Sequence, residues 1–121
     1  MAKKILIVDD AALIRSVAQK AAIEAGYDVV TATNGQEGLD TLESGLADII
    51  FCDVNMPVMG GLDMVARVKQ NDKFKFIPIV MLTTESNPEL KERGKSLGVK
   101  AWLLKPFNKD KFLIALEKLL G

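Results

Sequence analysis

Short runs of consecutive apolar residues recur along the chain, and longer segments with a helical pattern separate them. Each run is apolar on successive positions rather than on alternate ones. This pattern is typical of strands that are covered by helices on both faces, as in a parallel sheet. Five such strands are predicted, at residues 5–8, 27–32, 48–52, 77–82 and 101–104.

The segments between these runs have apolar residues at helical spacing and carry residues that begin or end helices. Gly26 is placed to end the first helix, whose apolar stripe runs from Leu13 to Ala25. Asn34, followed three residues later by Glu37, indicates an N-cap and a capping box for the second. The fourth has few apolar positions and contains a glycine, so we expect it to be held weakly. The last three helices are predicted at 61–70, 87–97 and 109–120, with Asn87 and Asn108 as caps of the final two.

The alternation of strand and helix predicts the fold. Five strand–helix pairs without a long linker are typical of an α/β, doubly wound parallel sheet, in which right-handed crossovers place helices on both faces. A chain of 121 residues has the size of one ordinary domain, so we expect residues 1–121 to form a single domain without a second module. Functional residues of such sheets lie at the carboxyl ends of the strands, and the site is expected there.

The composition excludes several kinds of function. Hydrophobic residues make up 49% of the chain and charged residues 26%, which is typical of a folded globular domain. The 16 lysines and arginines balance the 16 aspartates and glutamates, so we expect neither nucleic-acid binding nor membrane insertion. There is no histidine and one cysteine, Cys52, so the chain offers no imidazole base and no internal disulfide. We expect a cytoplasmic protein that chooses its partners through local patches.

Charged and hydroxyl side chains follow four of the predicted strands at the point where each strand ends. Asp9 and Asp10 follow the first strand, Asp53 the third, Thr83 the fourth and Lys105 the fifth. If the first and third strands are neighbours, three carboxylates converge. Two like charges about 4 Å apart repel by roughly 4 kcal/mol at an effective dielectric constant of about 20. An oxygen-only cluster of this kind suits Mg²⁺, or Mn²⁺, which would neutralise it.

Lys105 and Thr83 add groups that suit an anion rather than a cation. An ammonium and a hydroxyl beside carboxylates and a metal ion are the components of a phosphoryl-transfer site, in which a carboxylate can be the nucleophile. Taken singly, each aspartate after a strand could be a turn former or a helix cap, and Asp10 could cap the first helix. Because four strand ends carry the required groups in order, we interpret them as one site, and Cys52 as a core thiol.

The residues at these strand ends form four motifs that resemble the receiver domain of bacterial two-component response regulators. The motifs are Val8-Asp9-Asp10, Asp53-Val54-Asn55-Met56-Pro57, Leu82-Thr83-Thr84-Glu85 and Lys105-Pro106-Phe107. The chain is most similar to the stand-alone, CheY-like chemotaxis members of this family, and the resemblance covers essentially all of it. It implies a flavodoxin-like sheet in the order 2-1-3-4-5. It also implies a cis peptide bond between Lys105 and Pro106.

The resemblance implies a role for each acidic residue of the cluster. Asp53 would accept a phosphoryl group from a phosphohistidine on a partner kinase. Asp10 and Asp53 would bind Mg²⁺ directly, and Asp9 would bind it largely through water. The main-chain carbonyl of Asn55 would complete the protein ligands.

The same resemblance assigns the phosphoryl contacts and the switch. Lys105 would pair with the phosphoryl oxygens, and Thr83 would turn its hydroxyl toward them. The space vacated by Thr83 would then let an aromatic side chain of the fifth strand rotate inward. That side chain is Trp102 here, which is larger than the tyrosine or phenylalanine usual in the family. Asn55 and Glu85 would flank the path of an attacking water and so tune self-dephosphorylation.

Three functions fit these residues. The first is a chemotaxis switch that a sensor histidine kinase of the CheA type phosphorylates. It would bind a flagellar motor switch protein through its fourth helix, fifth strand and fifth helix, and a phosphatase could assist its dephosphorylation. The second is a phosphorelay intermediate or phosphate sink. The third is an enzyme, a phosphatase of the haloacid dehalogenase type, but the nucleophile candidate lies in mid-chain and is followed by Asn55 where an acid–base aspartate is needed. A flavodoxin-like cofactor carrier is disfavoured, because Asp9 and Asp10 would repel a flavin phosphate. We therefore expect a signalling protein that catalyses only its own phosphoryl transfer and dephosphorylation.

Overall fold

Strands and helices alternate along the chain in the computed structural model, which describes residues 2–84, 87–105 and 108–120. The strands are β1 (Lys4–Val8), β2 (Asp28–Ala32), β3 (Ile49–Asp53), β4 (Ile79–Thr83) and β5 (Ala101–Leu104). The helices are α1 (Ala12–Glu24), α2 (Gly35–Ser44), α3 (Gly61–Lys69), α4 (Pro88–Ser96) and α5 (Lys109–Leu120). Every predicted element is present. Within the described ranges, no helix combines the length and apolar character needed to cross a bilayer.

The five strands form one parallel sheet in the order β2-β1-β3-β4-β5, which confirms the predicted fold class and strand order. Successive residues of a strand point to opposite faces of the sheet, and helices cover both faces. On one face, Ile5 and Ile7 of β1 pack with α1 and α5. On the other face, Leu6 and Val8 pack with α2 and α3. Because both faces are buried, the strands are apolar at successive positions.

The apolar run 77–82 predicts the start of β4 two residues too early. Ile77 is still part of a turn, since its N–H donates to the carbonyl of Phe74 (3.0 Å), and Pro78 has no N–H to give to a sheet. At its other end β4 continues to Thr83, and β3 likewise continues to Asp53. These two polar residues are therefore held as the last positions of their strands rather than in loops.

Asparagine side chains cap three helices, as predicted. Asn34 accepts a hydrogen bond from the N–H of Glu37 (2.9 Å), and Asn87 and Asn108 accept bonds from the first N–H groups of α4 and α5. The Glu37 carboxylate accepts from the N–H of Thr33 (3.2 Å), the residue before the cap, so the capping box is displaced by one residue. Loss of such a cap typically costs about 1 kcal/mol.

Helix α4 is held weakly, as its pattern predicts. Among the described residues of α4, only Gly94 is buried. A Cβ atom at this position would lie 2.5 Å from Cζ2 of Trp102 on β5, so the indole occupies the space that any side chain would need. A glycine costs about 1 kcal/mol of helix propensity relative to alanine. Here it allows the helix and the indole to approach closely.

The connection between β3 and α3 contains a strained residue. Val58 has a φ of 70°, in the left-handed region that a β-branched residue rarely adopts. The N–H of Met59 donates to the carbonyl of Pro57 (2.8 Å), which closes a tight turn around Val58. The Val58 side chain is 84% exposed, so packing gives little in return for the strain. The turn is held from α2, because the Met59 carbonyl accepts from the N–H of Gly35 (3.0 Å).

Val58→Gly should therefore stabilise the protein. Glycine adopts a positive φ without a steric penalty, and relief of the strain should raise the free energy of unfolding by about 1 kcal/mol. Urea unfolding would show this as a higher midpoint with an unchanged slope. Val58→Ala removes the exposed branch but keeps a Cβ atom, and should recover only a small part of the gain. An unchanged or lower midpoint for the glycine variant would show that the turn stores no strain.

Candidate functional site

Adjacent strands bring three aspartates together at the carboxyl edge of the sheet. Val8 pairs with Cys52, so Asp9 and Asp53 follow side by side at the ends of β1 and β3. Carboxylate oxygens of Asp9, Asp10 and Asp53 all lie within 4.8 Å of one another. Asp9 is fully buried, Asp53 is almost fully buried and Asp10 is exposed. The structure therefore gathers the three carboxylates that the sequence places at two strand ends.

A lysine ammonium lies between the two buried carboxylates. Lys105 Nζ is 2.9 Å from Asp9 Oδ2 and 3.0 Å from Asp53 Oδ1, and the lysine side chain is 11% exposed. The Lys105 backbone is fixed because its N–H donates to the carbonyl of Thr83 (2.8 Å) at the end of β4. Loss of this ammonium would leave two buried carboxylates without a compensating charge, which is strongly destabilising. The ammonium thus joins the end of β5 to the ends of β1 and β3.

Hydrogen bonds fix Asp9 and decide which of the two adjacent aspartates faces inward. Asp9 Oδ1 accepts from the N–H of Ala11 (2.9 Å), and the Asp9 carbonyl accepts from the Arg15 guanidinium (2.8 Å). Ala11 is the N-cap of α1 and this end of the helix has no side-chain capping bond, so the suggestion that Asp10 caps it is wrong. Asp10 stays exposed at the rim of the site. Sequence reasoning missed Arg15, because a bond to a main-chain carbonyl leaves no motif.

Small and inert groups pack around Asp53. Gly61 opens α3 directly against it, and a Cβ atom there would collide with the main-chain carbonyl oxygen of Asp53. The N–H of Gly61 donates to the carbonyl of Val54 (2.9 Å), which fixes this approach. The preceding residue, Cys52, is fully buried; burial, and then the charges of Asp53 and Asp9, raise the pKa of its thiol. Cys52 is therefore a buried core thiol, as predicted.

The charged groups of the site perturb one another. Burial raises the pKa of Asp53 above its ordinary value; the hydrogen bond from Lys105 opposes this, and the charge of Asp9 adds to it. Burial lowers the pKa of Lys105, but its hydrogen bonds to the two carboxylates outweigh this, so the pKa is raised overall. The ammonium therefore keeps its proton at neutral pH. Three carboxylates face one ammonium, so the charge of Asp53 adds to an excess of negative charge in the cluster.

This donor set fits a small divalent cation. The available ligand atoms are closely spaced carboxylate oxygens, which Mg²⁺ prefers and Mn²⁺ also accepts. Asp10 is exposed, so an ion can bind at the rim while it keeps part of its hydration shell. Asn55 lies two residues beyond Asp53 in the connection between β3 and α3, where it is exposed. That the Asn55 carbonyl binds the metal ion stays a prediction.

The two predicted switch residues lie on neighbouring strands. Thr83, the last residue of β4, is buried. Trp102 of β5 is half-buried and packs its ring against Gly94 of α4. Their roles in switching stay predictions. Glu85 and the peptide bond to Pro106 lie outside the described residues, and so do the predictions that concern them.

Known proteins resemble this chain over nearly its whole length. Residues 5–117 match the family described as the response regulator receiver domain. In three dimensions the chain is similar to the chemotaxis protein CheY4 of Vibrio cholerae, with a TM-score of 0.94 and 43% sequence identity over 98% of this chain and 99% of that one. It is 35% identical over 120 residues to the chemotaxis protein CheY1 of Helicobacter pylori, covering 98% of this chain and 97% of the relative. It is 33% identical over 114 residues to the protein PilG of Pseudomonas aeruginosa, covering 94% and 84%.

Asp53→Asn should stabilise the protein when no divalent cation is present. A raised pKa means that the folded protein holds the Asp53 proton more tightly than the unfolded chain does. The stability that this group contributes is therefore present at low pH and is lost as the pH rises through the folded-state pKa. At pH 7 an uncharged amide of the same shape should therefore raise the free energy of unfolding, because it removes the buried charge. Urea unfolding in EDTA measures this gain, which should disappear below the ordinary aspartate pKa of 3.8.

A matched charge removal elsewhere provides the control for this experiment. Asp28→Asn takes an exposed carboxylate from the other end of the sheet, at the start of β2, and should leave stability nearly unchanged. Saturating Mg²⁺ should then favour the wild type, since a ligand at a hundredfold excess over its Kd adds about 2.7 kcal/mol. An Asp53→Asn variant less stable than the wild type in EDTA would contradict the repulsion inferred for the cluster.

Proposed function

This chain belongs to the response regulator receiver domain family, and on that premise we propose that it is a phosphorylation-switched signalling protein whose phosphoacceptor is Asp53. One observation carries the proposal: Lys105 Nζ lies 3.0 Å from Asp53 and 2.9 Å from Asp9 within a cluster of three carboxylates. A carboxylate nucleophile, a fixed cation for the developing charge and a set of metal ligands are the parts that phosphoryl transfer needs.

The proposed donor is a phosphohistidine on a sensor histidine kinase of the CheA type, because this chain has no histidine of its own. A carboxylate oxygen of Asp53 attacks the phosphorus, the bond between phosphorus and the imidazole nitrogen breaks, and that nitrogen leaves with the electron pair. The product is an acyl phosphate on Asp53. Attack by water on the phosphorus releases inorganic phosphate and restores the carboxylate, so the protein turns over only its own modification.

The residues around Asp53 prepare it for this step. Lys105 holds the carboxylate in place before transfer and can pass to a phosphoryl oxygen afterwards, while Asp9 remains its second partner. Thr83 lies at the end of the neighbouring strand β4, from which its hydroxyl can donate to another phosphoryl oxygen. Mg²⁺ held by Asp9, Asp10 and Asp53, with the carbonyl of Asn55, would neutralise negative charge on the carboxylates and on the phosphoryl group during transfer.

Phosphorylation is proposed to change the face formed by α4, β5 and α5. The new group adds about −1.5 to −2 charges at pH 7, and movement of Thr83 toward it would leave space at the end of β4. Trp102 lies on the adjacent strand with its indole against Gly94, so rotation of the indole and movement of the weakly held α4 are coupled. A shift from 1:99 to 99:1 between two states requires about 5.5 kcal/mol, which several charge-assisted hydrogen bonds can supply.

The proposed target is a flagellar motor switch protein. The relatives CheY4 and CheY1 are chemotaxis proteins by name, and they match this chain over nearly its full length. Leu104 of β5 and Ile114 of α5 are exposed apolar residues on the elements proposed to change, and they offer a partner apolar surface to contact. Asn55 and Glu85 are proposed to set the lifetime of the acyl phosphate, which a partner phosphatase could shorten.

Phosphorylation by a small phosphoramidate should be confined to Asp53 and should require Mg²⁺. Intact mass spectrometry should show the addition of one phosphoryl group, which hydroxylamine removes because it cleaves acyl phosphates. Asp53→Asn should abolish the addition. Lys105→Gln should slow it by about 100-fold, a typical effect of losing one group that stabilises developing charge. Lys20→Gln, which removes an exposed charge from α1, should leave the rate unchanged. Label retained by Asp53→Asn, or formed equally in EDTA, would overturn the proposal.

Beryllofluoride, which mimics the acyl phosphate, should change the emission of Trp102, the sole tryptophan, and create affinity for a peptide of a motor switch protein. Both effects should vanish in Asp53→Asn. Fluorescence titration measures the first, and peptide-binding anisotropy measures the second. If the emission changes while peptide binding does not, the motor target is wrong. Transfer of the phosphoryl group to a second histidine protein would then support a phosphorelay role.

A further inference from the structure

The edge of the sheet opposite the phosphoacceptor carries a cluster of lysines and two exposed apolar side chains. This edge is formed by the end of α3 and by the connections that lead into β3, β4 and β5. The surface, named here the basic edge, consists of Leu46, Lys69, Lys73, Lys75, Phe76 and Lys100.

The two apolar residues occupy equivalent places on neighbouring connections. Leu46 lies three residues before β3 and is 57% exposed, and Phe76 lies three residues before β4 and is 86% exposed. The two connections lead into adjacent strands, and the N–H of Ile50 in β3 donates to the carbonyl of Pro78 just before β4 (3.0 Å). A phenylalanine with so much of its ring in water is unfavourable for folding and gains only when something covers it.

One lysine lies over the Phe76 ring, and a second is bonded to the backbone of the first. Lys75 Nζ lies 5.3 Å from the centre of the Phe76 ring, and the carbonyl of Lys75 accepts from Lys69 Nζ (3.1 Å). Lys100 precedes β5, where its N–H donates to the carbonyl of Ile79 (2.8 Å) beside the start of β4. Burial, and then the nearby ammonium of Lys100, lower the pKa of Lys69. The two ammonium groups are therefore close enough to repel.

Acidic residues do not balance this cluster. Asp72 pairs with Lys75 (3.0 Å), and Asp48, on the same connection as Leu46, accepts from the N–H of Lys4 (2.7 Å). In the part of the chain that the structure describes, Lys69, Lys73 and Lys100 form no ion pair. The chain as a whole has a net charge of zero, so the positive charge here is local and is balanced by acidic residues elsewhere on the molecule.

We propose that the basic edge docks on an anionic lipid surface, with Phe76 and Leu46 entering the headgroup region and the lysines lying against the lipid phosphates. Apolar residues that enter the interface among basic residues that attract anionic headgroups are the combination by which proteins lie on membranes without spanning them. The net charge of zero gives the chain as a whole no attraction to anionic lipid. The proposed attraction comes from the lysines of the basic edge alone.

The identity of the side chains favours lipid over other polyanions. The cations of this surface are all lysines, whereas protein interfaces are enriched in arginine and depleted in lysine. A lipid surface has no fixed hydrogen-bond pattern to match, so a mobile point charge is sufficient. Single-stranded nucleic acid would need several flat side chains on which successive bases stack, and Phe76 is the single aromatic residue of the basic edge.

Docking in this way would orient the molecule. The basic edge lies at the start of the strands and Asp53 at their end, so the phosphoacceptor would face away from the lipid. The proposal does not rest on phosphorylation, and Asp53→Asn should bind lipid as the wild type does.

Vesicle co-sedimentation tests the proposal on the whole protein. Binding to vesicles of equal parts phosphatidylglycerol and phosphatidylcholine should exceed binding to pure phosphatidylcholine by at least about fivefold at low salt, and should fall as salt is added. The double variant Lys73→Gln/Lys100→Gln should lower the affinity for the anionic vesicles by about tenfold or more. Phe76→Ala should lower it further by removing the residue that enters the interface.

Control variants remove the same kinds of side chain, lysines and an apolar residue, from other surfaces of the protein. Lys20→Gln/Lys111→Gln removes two exposed charges from α1 and α5, and Leu13→Ala removes an exposed apolar side chain from α1. Both should bind the anionic vesicles as the wild type does. Absence of binding, equal binding to both kinds of vesicle, or equal losses in the edge variants and their controls would overturn the proposal. Tight binding of an acidic polypeptide or of single-stranded RNA through the same lysines, without vesicle binding, would assign the surface to that partner instead.

Discussion

A single ammonium shared by two buried carboxylates is the interaction on which the rest of the structure depends. Lys105 follows the fifth strand, Asp9 the first and Asp53 ends the third, so the contact closes across the centre of the sheet. Without the ammonium, two buried like charges would face each other, and without the carboxylates the ammonium would be a buried lone cation. At this edge of the sheet the ion pairs therefore hold the strands in alignment. Elsewhere, apolar packing does so.

The same arrangement leaves the molecule electrically polar although its net charge is zero. The three-aspartate cluster lies where β1 and β3 end, and the lysines of the basic edge lie where β4 and β5 begin. Each helix runs back from the edge where the strands end to the edge where they begin. The first edge is therefore formed by connections from a strand to a helix, and the second by connections from a helix to a strand. A chain with balanced composition can thus present an acidic surface at one edge of the sheet and a basic surface at the other.

The helices, the strands and the general place of the site could be predicted from the sequence. The contacts between residues that are distant along the chain could not. Burial on both faces makes the strands visible as unbroken apolar runs, and parallel strands share one carboxyl edge. Adjacent aspartates look alike in sequence, and the hydrogen bond from Ala11 decides that Asp9 turns inward. The sharing of one ammonium could not be predicted, because it depends on side-chain reach. Lys73 and Lys100 belong to one surface only because β4 and β5 are neighbours.

The close packing of Trp102 against Gly94 limits which substitutions evolution can accept at these two positions. The place of a side chain at position 94 is already filled by the indole, so a larger residue there is compatible only with a smaller one at position 102. Inherited substitutions at these two positions should therefore be correlated. A lineage that enlarged one of them alone would have to displace the helix from the sheet.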